Sequence, residues 1–137
     1  MIQLYSDGLT VAAGAAVPLN NIVYFKGNSA THQAPATIEL NQRGVYLVKV
    51  DAYGSTADVG TFGVQVAVNG VPRLDAINQM TVAAGDLGSA STACIVTVAQ
   101  SNCPCNCVAA ATTVTIINPS EVEATAAHYN VVVSKLC

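Results

Sequence analysis

The amino-acid sequence predicts an all-β protein, folded as a two-sheet antiparallel sandwich or jelly roll. Three observations predict this fold. Apolar and polar residues alternate along several segments, turn-forming residues separate these segments, and helical periodicity is nearly absent. The chain of 137 residues is long enough for one core, and neither a linker nor a repeat of fixed period divides it. We expect a single domain over residues 1–137, with residues 1–8 as an N-terminal lead-in.

The clearest alternation lies in two segments near the middle of the chain. In VYLVKVDAY, Tyr46, Val48 and Val50 share one face of a strand, and Lys49 and Asp51 lie on the other. In TFGVQVAV, apolar residues alternate with small or polar ones, and the Asn-Gly pair that follows is a strong hairpin signal. Both segments therefore predict strands, and the second leads into a hairpin.

Seven further segments complete the predicted set of strands. PATIEL and VYLVKV are joined by Asn-Gln-Arg-Gly as a second hairpin, and ACIVTVAQ, TTVTIIN and HYNVVVSKL are rich in β-branched residues, which favour strands. One helical turn is the most that SEVEATAAHY would form, with Ser120 as its cap and Glu123 three residues later. The nine predicted strands cover residues 9–17, 21–26, 36–41, 44–53, 61–69, 72–83, 92–100, 112–118 and 127–136.

The composition favours self-association. Charged residues make up 9% of the chain, whereas about 25% is usual in a soluble domain. Hydrophobic residues make up 52%. A surface with so few charges can be buried against copies of itself at little desolvation cost, so we expect an oligomer. A weakly charged monomer is the alternative.

Charge and motifs exclude several classes of function. The net charge is −3 and the five basic residues form no run, so the chain lacks the basic surface that nucleic-acid binding requires. No apolar run is long enough to span a bilayer, and the start shows no secretory signal, so we expect synthesis in a cytosol. Catalytic motifs are absent and the acidic residues are scattered, which argues against an enzyme. We interpret His32 and His128 as surface or hydrogen-bonded residues rather than ligands.

The segments GVYLVKVDAYG, GTFGVQVAVNGV and YNVVVSKL together resemble the C1q/TNF-like jelly roll. That family has a Gly-x-Tyr strand in mid-domain, followed by a strand that ends in Asn-Gly. The resemblance covers residues 9–136 and is nearest to the small versions in phage structural proteins and on bacterial spore surfaces. The opening IQLYSDGLTVAAGAAVPLNN and the Cys-Pro-Cys segment resemble the phage type. The chain departs from animal C1q domains in having no Trp and no collagen-like stem.

The resemblance implies a compact homotrimer and a structural role. It suggests a trimeric phage capsid decoration or fibre-head protein, displayed on the virion surface after assembly in the bacterial host cytoplasm, with no catalysis and no cofactor. Its partners would be its own copies and other virion proteins such as the major capsid protein, with a host-surface glycan as a further candidate. The alternative is a receptor- or glycan-binding trimeric module of a phage tail or a bacterial spore surface.

In this family, the sheet that contains the strands predicted at 44–53, 92–100 and 127–136 faces the partner subunits. The resemblance therefore places four residues at the trimer interface: Tyr46, Val48, Tyr53 and Tyr129. The alternative for the tyrosines is a place in the core of the domain.

The cysteines pose a separate question, because three of the five stand at alternate positions in NCPCNC. The predicted connections place this loop and the chain end together, so Cys103, Cys105, Cys107 and Cys137 are expected to form a cluster. Cys94 is expected near the opposite end of the sandwich, as a buried free thiol.

Three states of this cluster are open. Cα atoms at i and i+2 of an extended chain lie about 6.6 Å apart, near the upper limit for a disulfide, so a Cys-x-Cys bridge would be strained. We therefore favour disulfides to Cys137 or to a second subunit. A zinc site and free thiols are the alternatives, although the usual spacing of zinc ligands is missing. A catalytic thiol has no histidine beside it in the sequence.

Overall fold

The computed structural model describes residues 1–33, 35–99 and 112–137. These residues form two antiparallel sheets packed as a sandwich, and none of them is helical. The predicted all-β class with two antiparallel sheets is therefore confirmed. None of the described residues forms a helix long and apolar enough to cross a bilayer.

Ten strands make up the described part of the sandwich: β1 (Ile2–Val11), β2 (Asn21–Phe25), β3 (Ala30–Gln33), β4 (Thr37–Leu40), β5 (Gly44–Thr56), β6 (Gly60–Val68), β7 (Val71–Val82), β8 (Gly88–Val98), β9 (Thr112–Ile117) and β10 (Ala124–Lys135). Sheet A has the order β2-β1-β10-β5-β8, and sheet B has the order β3-β4-β9-β6-β7. Strands distant in sequence are thus neighbours in space, as in a jelly roll.

The N-terminal part of the chain differs from the expectation. Residues 2–8 are not a lead-in, because they belong to β1, where Ile2 and Leu4 are fully buried. The pair Asp7-Gly8, which has the composition of a turn, forms a β-bulge opposite β10, and Gly8 adopts a φ of 66°. The first strand therefore runs over Ile2–Val11 rather than 9–17.

Two further expectations are corrected. His32 lies in the edge strand β3, in a region between residues 26 and 36 where no strand is predicted. The segment after β9 forms a bend instead of a helical turn. The Asn118 side chain closes this bend, because its Nδ2 donates to the carbonyl of Val122 (3.1 Å) and its Oδ1 accepts from the amide of Ser120 (3.1 Å). Side-chain hydrogen bonds of this kind compete with helix formation.

The core is filled by the inward-facing residues of both sheets. On β5 every second residue is buried, beginning with Tyr46 and Val48, and the residues between them face outward. On β10 the same alternation buries Tyr129 and Val131. Each fully buried apolar side chain contributes about 1.5–3 kcal/mol, so these two central strands determine which face of sheet A meets sheet B.

The two sheets are bridged along one side of the sandwich, where β7 and β8 are edge strands. Arg73 Nη1 donates to the carbonyl of Ile95 (3.3 Å), and Asn78 Nδ2 donates to the carbonyl of Ser91 (2.8 Å). The β8 edge is therefore partly satisfied by β7 side chains, which reduces its tendency to pair with another strand.

The two fully buried tyrosines provide a test of this core. Tyr46 Oη donates to the carbonyl of Gln42 (2.7 Å), whereas Tyr129 Oη has no partner among the described residues. We predict that Tyr46→Phe lowers the free energy of unfolding by about 1 kcal/mol, because one buried hydrogen bond is lost. Tyr129→Phe should leave it unchanged or raise it, since an unpaired polar group is removed. Urea denaturation measures both values.

The stability at alkaline pH provides a second test of the buried Tyr129 side chain. Burial raises the pKa of Tyr129 from 10.0 to about 12. The unfolded state therefore releases this proton first, and stability should fall as the pH rises from 10 towards 12, less so in Tyr129→Phe. An equal loss of stability in the two Phe variants at neutral pH would show that Tyr129 Oη has a hydrogen-bond partner.

Candidate functional site on the outer face of sheet A

The outer face of sheet A carries the side chains that the core does not use. Because partners across antiparallel strands share a face, the register places Gln3, Val132, Lys49 and Ala93 in one outward row. The next outward row lies two residues away on each strand and consists of Tyr5, Asn130, Asp51 and Ser91. These two rows divide the face into halves of different chemistry.

The apolar half lies towards the chain end and comprises Tyr24, Leu47, Ala93, Ile95 and Val132, to which Lys49 adds a charge. Tyr24 is 45% exposed and Ile95 is 46% exposed. The polar half lies towards the start of β8 and comprises Tyr5, Asp51, Tyr53, Ser89, Ser91, His128 and Asn130. A single face thus offers both an apolar contact surface and a set of hydrogen-bonding groups.

His128 organises the polar half. Its ring stacks on Tyr53, with centroids 4.8 Å apart and planes at 17°, and its centroid lies 6.1 Å from that of Tyr5. Its Nδ1 is 3.3 Å from Asp7 Oδ1. The prediction of a hydrogen-bonded surface histidine is therefore confirmed for His128. His32 differs, because its Nε2 is buried and has no partner among the described residues.

A cavity of about 510 Å³ lies in the polar half. Small residues such as Ser89 and Ser91 line it together with larger side chains, among them Tyr53, Asp51 and Asn78. Asn130, which also lines the cavity, is held in place because its Oδ1 accepts from Gln3 Nε2 (3.0 Å). The cavity therefore combines an aromatic wall with several polar groups on strands rather than loops.

Three of the four residues predicted at a trimer interface are core residues in the single chain. Tyr46, Val48 and Tyr129 have no exposed surface, so they have no area to offer a second subunit, and this part of the prediction is wrong. The reason is the period of two along a strand, which turns them towards sheet B. Tyr53 lies an odd number of residues from Tyr46 on the same strand, so its side chain points outward, and it is 48% exposed. Its place at an interface therefore stays a prediction.

The cysteine cluster falls mostly outside the described residues. Cys103, Cys105 and Cys107 lie there, so disulfides, zinc and free thiols all stay hypotheses. Cys137 is exposed, and its carbonyl accepts from the amide of Val45 (3.1 Å). It lines the same hollow as Ala99, the last described residue before the cysteine-containing segment. Within the described ranges, no three His, Cys, Asp or Glu residues are grouped to hold a metal.

Cys94 is buried as expected, but its position differs. It lies in the middle of β8 opposite Val48, not at the far end of the sandwich, and it is 7% exposed. Burial raises the pKa of the Cys94 thiol, and the nearby Arg73 offsets this only in part. Because the thiolate is the reactive form, Cys94 is in an unreactive environment.

Comparison with known proteins supports the fold. No family model matches the chain, and no curated protein matches it either. Three similar solved structures cover almost the whole chain. The globular domain of zebrafish complement 1qA has a TM-score of 0.71 at 8% identity, over 99% of this chain and 96% of its own. Murine APRIL at pH 5.0 has a TM-score of 0.67 at 14% identity, over 98% of both chains.

The third structure is the vertex protein P5 of the phage PRD1. Its TM-score is 0.61 at 14% identity, over 99% of this chain and 96% of its own. At these identities the likeness shows the fold alone. The C1q/TNF-like jelly roll that the sequence resembles is therefore confirmed as the architecture of this chain.

The cysteines give a prediction that separates Cys94 from the rest. We expect alkylation of the native protein to modify Cys94 slowly, because its thiol is buried, and to modify it at once after denaturation. Cys137→Ser should lower the melting temperature if Cys137 is cross-linked, since a lost native cross-link costs about 2–5 kcal/mol. The control is Leu136→Ser, which alters the exposed residue next to Cys137 but removes no thiol.

Two results would contradict this account. One is rapid alkylation of Cys94 in the native protein. The other is an unchanged melting temperature in Cys137→Ser, together with reactive thiols at Cys103, Cys105 and Cys107. This second result would exclude the cross-link.

Proposed function

We propose that this chain is a non-enzymatic structural module that assembles with two further copies of itself on the surface of a phage virion. The observation that carries the self-association is a pair of unlike surfaces on one protomer. One is the apolar half of sheet A. The other is the apolar edge, which we define as the exposed side chains of Leu74, Ile77 and Met80 on β7.

The apolar edge is largely exposed in the protomer. Leu74 is 88% exposed, and Ile77 and Met80, which the register places on opposite faces of β7, are each 41% exposed. Met80 also contacts β8, where its Sδ accepts from the amide of Ser89 (3.1 Å). Exposed apolar groups that lie close together are typical of protein interfaces. Burial of the edge against the apolar half of a second copy would remove both surfaces from water. Lys49 on one surface and the Arg73–Asp75 ion pair (2.6 Å) beside Leu74 on the other would have to be accommodated.

The unlike surfaces favour a closed ring. When two different patches of the same chain bind each other, the contact is head-to-tail, and such contacts close into rings when the rotation permits. A contact of one patch with itself would instead give a twofold dimer. The number three comes from the likeness to C1q/TNF-like domains, whose homotrimeric state supports the proposal.

The phage setting rests on different support. The vertex protein of PRD1 has the same fold, and the opening and the Cys-Pro-Cys segment resemble the phage type. We therefore propose a place on the virion surface, as a capsid decoration or fibre head in contact with other virion proteins such as the major capsid protein. The protein would be assembled in the bacterial host cytoplasm.

The assembly is tested by one substitution on the apolar edge. Wild-type protein should give three times the chain mass of 14.0 kDa in sedimentation equilibrium. Leu74→Asp should raise the dissociation constant at least tenfold, because burial of a leucine is worth about 1.5–3 kcal/mol and a charge would be buried instead. The control is Val59→Asp, which alters a residue that is 72% exposed in the bend before β6.

A monomeric wild-type protein would contradict the assembly. So would equal masses for Leu74→Asp and the wild type, since the contact would then lie elsewhere.

The phage setting is tested on particles. An antiserum raised against the protein should label intact virions in immuno-electron microscopy, at sites related by the symmetry of the capsid or tail, because the module is proposed to be exposed there. Virions stripped of the protein serve as the control. If the antiserum labels only lysate debris and leaves the virions unlabelled, the proposed structural role on the virion is wrong.

A further inference from the structure

We propose that the cavity in the polar half of sheet A binds a neutral pyranose sugar. The cavity shares no lining residue with the apolar half or the apolar edge, although Asn78 on β7 places it beside the edge. Its volume of about 510 Å³ lies in the range of about 300–1,000 Å³ that is usual for small-molecule sites.

The polar groups around the cavity are left unpaired by the fold. Asp51 is half-buried and Ser89 and Ser91 are exposed, and within the described part of the chain their side chains make no hydrogen bond. Asn130 uses its Oδ1 for Gln3 and retains both Nδ2 hydrogens, whereas Asn78 uses its Nδ2 and retains its Oδ1. Donors and acceptors thus alternate around the same space.

A ligand with vicinal hydroxyls matches this set. Each hydroxyl of a sugar donates one hydrogen bond and accepts others, as the unpaired groups here require. A carboxylate such as Asp51 can accept from two neighbouring hydroxyls at once. An apolar ligand would leave Asp51 and both serines without partners in the bound state, at a cost of about 1–3 kcal/mol for each group.

Tyr53 supplies the apolar component of the site. One side of its ring is covered by His128, and the ring is still 48% exposed. Its cross-strand neighbour on the other side is Ser89, which is too small to cover it. An aromatic ring of this kind, with polar groups beside it, fits a ligand that has one apolar and one polar face. A pyranose has this shape, because its axial C–H groups form an apolar face.

The charge of the cavity limits the sugar. Asp51 lines it, and neither Lys nor Arg is among the described residues that line it. An acidic sugar or a phosphate would place its negative charge against an unpaired carboxylate, which costs affinity. The site therefore favours a neutral pyranose.

The test measures saturation-transfer NMR signals from three neutral probes: methyl α-glucopyranoside, methyl α-mannopyranoside and N-acetylglucosamine. Wild-type protein should transfer saturation to at least one of them. Tyr53→Ala and Asp51→Ala should each weaken the signal at least tenfold, because each removes one component of the site. Val59→Ala is the control, since it alters an exposed residue outside the cavity, the apolar half and the apolar edge.

A second variant, Ser91→Gln, puts a larger side chain into the cavity lining without removing the tyrosine and should also abolish the signal. The proposal is overturned if no probe gives a signal, or if Tyr53→Ala and Ser91→Gln both retain it. Sedimentation of each variant separates the two proposals, because a monomer that still binds sugar refutes only the trimer, and a trimer without sugar signals refutes only the site.

Discussion

The alternation of side chains along β5 and β10 is the constraint on which the rest of the structure depends. These two strands are neighbours in sheet A, and their inward residues, with Tyr46 and Tyr129 as the largest, are fully buried against sheet B. A shift of the register by one residue would expose both tyrosines and bury Lys49 and Asp51, which no folded state of this chain would tolerate. The two-residue alternation that buries the core side chains therefore also determines which side chains lie on the outer face of sheet A.

The outer surface follows from this constraint, and its chemistry is uneven. The side chains between the core residues form an apolar half, and a polar half with a cavity beside Tyr53. On the β7–β8 side, Arg73 and Asn78 satisfy backbone carbonyls of β8, and the side chains that remain exposed on β7 include the apolar Leu74, Ile77 and Met80. A scaffold of this kind offers separate surfaces for the two proposed contacts, one with its own copies and one with a ligand.

Much of this architecture was predictable, and each failure has a physical reason. Alternation and the Asn-Gly pair located the central strands, because β5 and β6 bury one face and end at turns. Residues 2–8 were misassigned because Asp7-Gly8 has turn composition but forms a bulge within β1. Strand β3 was missed because its four residues are too few and too polar to show an alternation of apolar and polar side chains. The interface tyrosines were misassigned through family likeness, although parity alone separates Tyr53 from the core residues. The cavity is lined by residues of four strands, β5, β7, β8 and β10, which no local pattern reveals.

The central claim is that one protomer presents two unlike apolar surfaces that meet between copies. The most direct measurement is a crystal structure of the assembled protein. The account predicts a threefold axis, with Leu74 of each copy packed on the apolar half of sheet A of the next copy and the two faces related head-to-tail. An assembly about a twofold axis, in which the same patch meets itself, or one that leaves Leu74 and Ile95 exposed to solvent, would contradict it.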